Sequence, residues 1–82
     1  MKIDVTAEDI AEGFPCDDEA CPVARAVRRA TRKRRAYVGR WWMKLGPRDP
    51  FIRTPLAAER FIQRFDGGKP VAPFSFELEI PQ

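Results

Sequence analysis

Hydrophobic and polar residues alternate near both ends of the chain. In "KIDV", Ile3 and Val5 share one face while Lys2 and Asp4 share the other, and "FSFELEI" alternates in the same way over residues 74–80. A period of two residues is typical of a half-buried β-strand. We therefore predict one strand at each end of the fold. The residues of the second strand expected to face the core are Phe74, Phe76, Leu78 and Ile80.

A short helix is predicted directly after the first strand. Thr6 is a typical N-cap residue, and Asp9 three positions later provides the carboxylate of a capping box. Gly13 then ends the segment "AEDIAEG". Ile10 and Phe14 are expected to anchor this helix in the core.

The stretch "CPVARAVRRATRKRR" has the period of an amphipathic helix. Pro22 suits the first helical position, and the acidic residues before it suit the positive end of the helix dipole. Small apolar residues fall on one arc and basic residues on the opposite arc. The helix is predicted to end near Lys33, because Arg34 would return to the apolar arc. The basic arc consists of Arg25, Arg28, Arg29, Arg32 and Lys33.

The segment "AYVGRWWMKL" is predicted to form one strand, with Trp41 facing the core and Trp42 facing solvent beside Arg40. The prolines of "GPRDPFIRTP" predict a loop. Thr54 is expected to cap a third helix, which should end at Gly67 in the left-handed conformation. Its apolar stripe is predicted to be Ala58, Phe61, Ile62 and Phe65.

The elements follow the order β-α-α-β-α-β and predict a single small α+β domain over residues 1–82. We expect a sheet of about three strands with helices packed on one face. Such a short chain suits one domain, and a content of 44% hydrophobic residues is enough for a core.

The composition argues against an enzyme. The chain has no histidine, and Ser75, its only serine, lies inside a predicted strand. The commonest general base and a serine nucleophile with a base nearby are therefore missing. We expect no catalytic residue, no cofactor and no small-molecule substrate. Apolar runs fall far short of the ~18 residues of a membrane span, and the N-terminus lacks the centre of a signal peptide, so a cytoplasmic location is expected.

The two cysteines enclose three acidic residues in "CDDEAC". Zinc is one interpretation, but structural zinc sites usually combine two separated pairs of ligands, and a second pair is missing. A redox pair normally has the spacing C-x-x-C. We favour structural cysteines without a metal, with Cys21 as the N-cap of the basic helix and its sulfur buried. The helix N-terminus is expected to lower the pKa of Cys21.

Charge is distributed unevenly along the chain. Residues 1–20 carry one lysine against seven acidic residues, whereas residues 21–53 carry eleven basic residues against Asp49. A dense basic run with an exposed tryptophan suits phosphates and bases, but also an acidic protein surface. The acidic segment could instead fold back and neutralise the basic helix. The candidate binding residues are Arg25, Arg28, Arg29, Arg32, Lys33, Arg35, Arg40, Trp42 and Lys44.

Three stretches, "VTAEDIAEG", "CPVARAV" and "RFDGGKPVAPFSFELEI", resemble a group of small proteins of actinobacterial phages and their hosts. That group has no established activity. The resemblance implies an accessory protein that binds a host protein or nucleoprotein complex, such as a nucleic-acid-handling or defence complex that it inhibits, in the host cytoplasm. Direct binding of DNA or RNA is the alternative. The matching positions are caps and core residues, namely Cys21, Pro22, Phe65, Asp66, Gly67, Pro73, Phe74 and Phe76.

Overall fold

The computed structural model describes residues 1–80, which form helices and antiparallel strands of the predicted α+β class. Two more strands are present than the sequence pattern predicted. In chain order the elements are β1 (Lys2–Val5), α1 (Ala7–Glu12), α2 (Pro22–Thr31), β2 (Tyr37–Val38), β3 (Trp42–Lys44), β4 (Phe51–Arg53), α3 (Leu56–Asp66) and β5 (Phe74–Glu77).

The strands form two separate antiparallel sheets. β1 pairs with β5, so Ile3 lies opposite Phe76, and β3 lies between β2 and β4 in the second sheet. The strands at both ends of the chain are confirmed, although β5 ends at Glu77 and not at Ile80 as the alternation predicted. The prediction of one sheet with about three strands is wrong, because the middle of the chain pairs with itself. β5 pairs with β1, so Glu77 lies opposite Lys2 and not opposite a residue of the second sheet.

The segment predicted as one strand is a hairpin. The chain turns after Val38, where the Gly39 amide donates to the Trp42 carbonyl at 2.9 Å, and Val38 pairs with Met43. A Cβ on Gly39 would lie only 3.0 Å from that carbonyl oxygen, which explains the glycine. Trp41 lies in the turn and is 53% exposed, so its predicted place in the core is wrong.

A third short strand, β4, lies within the predicted loop and pairs with β3. Thr54 follows it, is buried, and donates its hydroxyl to the Gly39 carbonyl at 2.9 Å. It therefore ties α3 to the hairpin and is not the predicted cap; α3 begins after Pro55 without a side-chain cap. The left-handed residue after α3 is Gly68, with φ of 73°, rather than Gly67.

The core lies between α2, α3 and the two sheets, and the small apolar arc of α2 packs against β1. Phe14 is 62% exposed, so its predicted role as an anchor is wrong, whereas Ile10 packs at the edge of the core. α2 ends at Thr31, two residues before Lys33, because Arg32 adopts a left-handed conformation with φ of 61°. Within residues 1–80, every helix is too short or too polar to cross a membrane.

Candidate functional site

The first part of the predicted basic face is neutralised inside the molecule by α1. Asp9 is fully buried, and its carboxylate accepts hydrogen bonds from both terminal nitrogens of Arg29 at 2.8 and 2.7 Å. The Nε atom of Arg25 lies 3.4 Å from the same carboxylate, and Glu8 lies 3.9 Å from Arg25. The acidic residues of α1 therefore neutralise two arginines of α2.

The same carboxylate closes the predicted capping box, since it accepts from the Thr6 amide at 3.0 Å while the Thr6 hydroxyl accepts from the Asp9 amide at 3.1 Å. Burial alone would raise the pKa of Asp9, but the hydrogen bonds from Arg29 and Thr6 outweigh it and lower the pKa to about 2. The pKa of Arg29 is correspondingly raised, first by its hydrogen bond to Asp9. This ion pair is ionised at neutral pH.

Arg28 is also engaged within the molecule. Its Nε and Nη2 atoms donate to the Ala36 carbonyl at 3.2 and 3.0 Å, which fixes the segment between α2 and β2. Arg25, Arg28 and Arg29 thus hold the fold together, and the helix face offers less positive charge than its sequence predicted.

A basic cleft lies where the segment after α2 meets the loop between β3 and β4. It has a volume of about 360 Å³, and its lining includes Leu45, Gly46 and Pro47. The Lys33 ammonium lies 3.4 Å from the carboxylate of Asp49, and this is the one ion pair found in the cleft within residues 1–80. The basic residues lining it are Lys33, Arg34, Arg35 and Arg48.

The exposed face of the second sheet carries aromatic and basic side chains together. Trp42 is 56% exposed and Phe51 is 67% exposed, and the two rings line a shallow apolar recess. The Lys44 ammonium lies 5.1 Å from the centre of the Phe51 ring. Arg53 contacts Glu59 at 3.3 Å. This surface, the aromatic face, consists of Tyr37, Trp42, Lys44, Phe51 and Arg53.

The basic cleft and the aromatic face adjoin one another along the chain. Arg35 lies two residues before Tyr37, whose partner across the β2–β3 ladder is Lys44. Arg48 lies three residues before Phe51 in the loop that joins β3 to β4. The two surfaces are therefore joined by two short segments of chain.

A second cleft, of about 320 Å³, is acidic and includes both cysteines in its lining. Cys21 caps α2 as predicted, with its sulfur accepting from the Ala24 amide at 3.4 Å, and it is buried. Burial raises the pKa of the Cys21 thiol, so the expected lowering is wrong. Residues 1–80 contain no group of three or more metal-binding side chains arranged to hold an ion. The acidic side chains in the lining are Asp17, Asp18 and Asp66.

The structure divides the predicted binding residues into separate sets. Lys33 and Arg35 lie in the basic cleft, and Trp42 and Lys44 lie on the aromatic face. Arg40 belongs to neither, because it lines the acidic cleft and its guanidinium lies 4.9 Å from the Trp41 ring centre. Arg32 is exposed at the end of α2.

Five members of the two surfaces were not among the predicted binding residues, namely Arg34, Tyr37, Arg48, Phe51 and Arg53. Arg48 and Phe51 lie in a proline-containing segment that reads as a loop, and β4 is only three residues long. A strand this short carries too few alternating positions for its period to be recognised. The triplet "FIR" between Pro50 and Thr54 was the available signal.

No protein-family model matches the chain, and no curated protein or solved structure is significantly similar to it. The resemblance to small phage proteins therefore stays a prediction. The geometry of the basic cleft and of the aromatic face is what supports a function.

Proposed function

We propose that this protein binds nucleic acid, and that the basic cleft and the aromatic face form its binding surface. The observation that carries the proposal is that the two surfaces lie close together along the chain, with Arg35 two residues before Tyr37 and Arg48 three residues before Phe51. The cleft has four basic side chains against Asp49, and the sheet beside it exposes Trp42 and Phe51. Cations suit the phosphates of a nucleic acid, and aromatic rings suit its bases.

The electrostatic part of the proposal depends on charge that the fold leaves exposed. Within residues 1–80, no ion pair engages the guanidinium of Arg34, Arg35 or Arg48. Each is exposed on a loop. Basic groups that neutralise phosphates release condensed counterions, and this release supplies much of the affinity of nucleic-acid-binding proteins.

A phage accessory protein that binds a host protein or nucleoprotein complex is the second candidate. Its support is the exposure of Trp41 and Trp42 beside arginines, because tryptophan and arginine dominate the energetics of many protein interfaces. The basic face of α2 is a weaker docking surface for such a partner than its sequence predicted, because Arg25, Arg28 and Arg29 already contact Asp9 and Ala36.

The proposal predicts that charge in the cleft matters more than charge elsewhere. The double variant Arg35→Ala and Arg48→Ala should weaken binding to a fluorescently labelled oligonucleotide by about tenfold or more at ~50 mM salt, because two phosphate contacts are lost. Fluorescence anisotropy measures this. The matched control is Arg60→Ala with Lys69→Ala, which removes the same charge from exposed positions outside the cleft.

The control should retain nearly the affinity of the parent protein. Equal losses in the two double variants would indicate attraction by net charge alone and would contradict the assigned surface. If the parent protein bound neither DNA nor RNA at low salt, the proposed function would be wrong, and the protein-binding candidate would take its place.

A further inference from the structure

We infer that the ligand is a single-stranded nucleic acid whose bases stack on Trp42 and Phe51. This inference rests on the proposed function and specifies its substrate class. It depends on how the aromatic and basic side chains alternate on the sheet. It also depends on which arginines of α2 already bind other residues of the protein.

The register of β3 and β4 places four side chains at the corners of a small square. Trp42 lies opposite Arg53, and Lys44 lies opposite Phe51. Since Trp42 and Lys44 are two residues apart, all four point to the same side of the sheet. The two aromatic residues therefore occupy one diagonal, at a typical Cα separation of about 7–8 Å, and the two cations occupy the other.

The charges on the square favour a polyanion that crosses it. Arg53 is paired with Glu59, whose side chain is only 14% exposed, and Arg53 also donates to the Trp41 carbonyl at 2.8 Å. Lys44 is left as the cation beside the Phe51 ring. A strand that stacks bases on the rings can place its phosphates near Lys44, and Arg35 and Arg48 lie within three residues of the aromatic face along the chain.

A duplex fits this surface less well. Its bases are stacked on one another, so their faces are closed to Trp42 and Phe51, whereas an unpaired strand can present them. A protein usually reads duplex DNA by placing a helix or a two-stranded ribbon in the major groove. The basic face of α2 suits that role poorly, because Arg25 and Arg29 bind Asp9. The exposed rings therefore favour single strands.

Stacking does not depend strongly on base identity, because every base has an aromatic face. The protein should therefore bind mixed single-stranded sequences with similar affinity, and the ladder register gives no reason for selective reading of base edges.

The experiment compares a labelled single strand of about 12 nucleotides, a length within the usual range for such surfaces, with the same sequence as a duplex. Fluorescence anisotropy at ~50 mM salt should show tighter binding of the single strand. Trp42→Ala and Phe51→Ala should each reduce single-strand affinity by roughly tenfold while changing duplex binding little. Phe14→Ala is the matched control, since Phe14 is a similarly exposed ring outside the aromatic face.

The variant Trp42→Phe distinguishes a loss of stacking from a loss of folding. It keeps an aromatic ring and should retain most of the affinity for the single strand. Thermal unfolding of every variant shows directly whether the variant is folded. Parent-like single-strand binding by Trp42→Ala and Phe51→Ala, or preference of the parent protein for duplex, would overturn this inference while leaving nucleic-acid binding intact. Absence of binding to either ligand would overturn both proposals.

Discussion

At the scale of single residues, Asp9 decides how much of the basic helix is available to a ligand. Its carboxylate is buried, yet it has hydrogen bonds from Thr6, Arg25 and Arg29. The capping box was predicted from "TAED" because capping is a local interaction. Neutralisation of the basic helix by the acidic segment was one of the alternatives that the sequence offered. The partners could not be predicted, because Arg29 lies 20 residues after Asp9 and meets it only once α1 packs on α2.

The variant Asp9→Asn should destabilise the fold by about 2 kcal/mol at pH 7, since it removes the charge that pairs with Arg29. The pKa of Asp9 in the folded protein, about 2, lies below its ordinary value of 3.8. The stabilisation is therefore present above pH 4 and is lost as pH falls toward 2. Urea unfolding at several pH values measures this.

In the parent protein, the free energy of unfolding should drop more steeply between pH 5 and pH 2 than in Asp9→Asn. Glu12→Gln, an exposed position of the same helix, should behave like the parent protein. Identical pH dependence in the parent and in Asp9→Asn would show that this carboxylate does not contribute as described.

At the scale of elements, the hydrophobic pattern predicted the helices and strands that are long enough for their period to repeat. It did not predict the shortest strands. α2, α3 and the two terminal strands have enough positions for a period to be recognised. β2, β3 and β4 have only two or three residues each. The alternation from Tyr37 to Leu45 continues through Gly39, so the hairpin turn was hidden within an unbroken pattern.

Thr54 connects these elements, because its buried hydroxyl donates to the Gly39 carbonyl in the hairpin turn. Thr54→Val keeps the shape of the side chain but removes the donor, and should reduce the free energy of unfolding by about 1–2 kcal/mol. Thr54→Ser, which retains the hydroxyl, should lose less. Urea unfolding compares the three proteins, and a valine variant as stable as the serine variant would contradict this role.

At the scale of the whole molecule, some arginines form ion pairs that hold the fold together, whereas others are exposed on loops and available to a ligand. The acidic residues of α1 neutralise Arg25 and Arg29 within α2, whereas Arg34 and Arg35, which follow α2, and Arg48, in the loop between β3 and β4, remain exposed. The sequence predicted a basic surface, but not its position, because tertiary contacts select which arginines are neutralised. The proposed ligand site therefore lies on the loops and the second sheet, and not on the basic face of α2.

The central claim is that these exposed cations and rings bind a single-stranded nucleic acid. Its most direct test is the affinity of the parent protein for a single strand, measured by anisotropy across a range of salt concentrations. With Lys44, Arg34, Arg35 and Arg48 contacting phosphates, the logarithm of the binding constant should fall against the logarithm of salt with a slope of about −3. A slope near zero, or no binding at low salt, would contradict the claim.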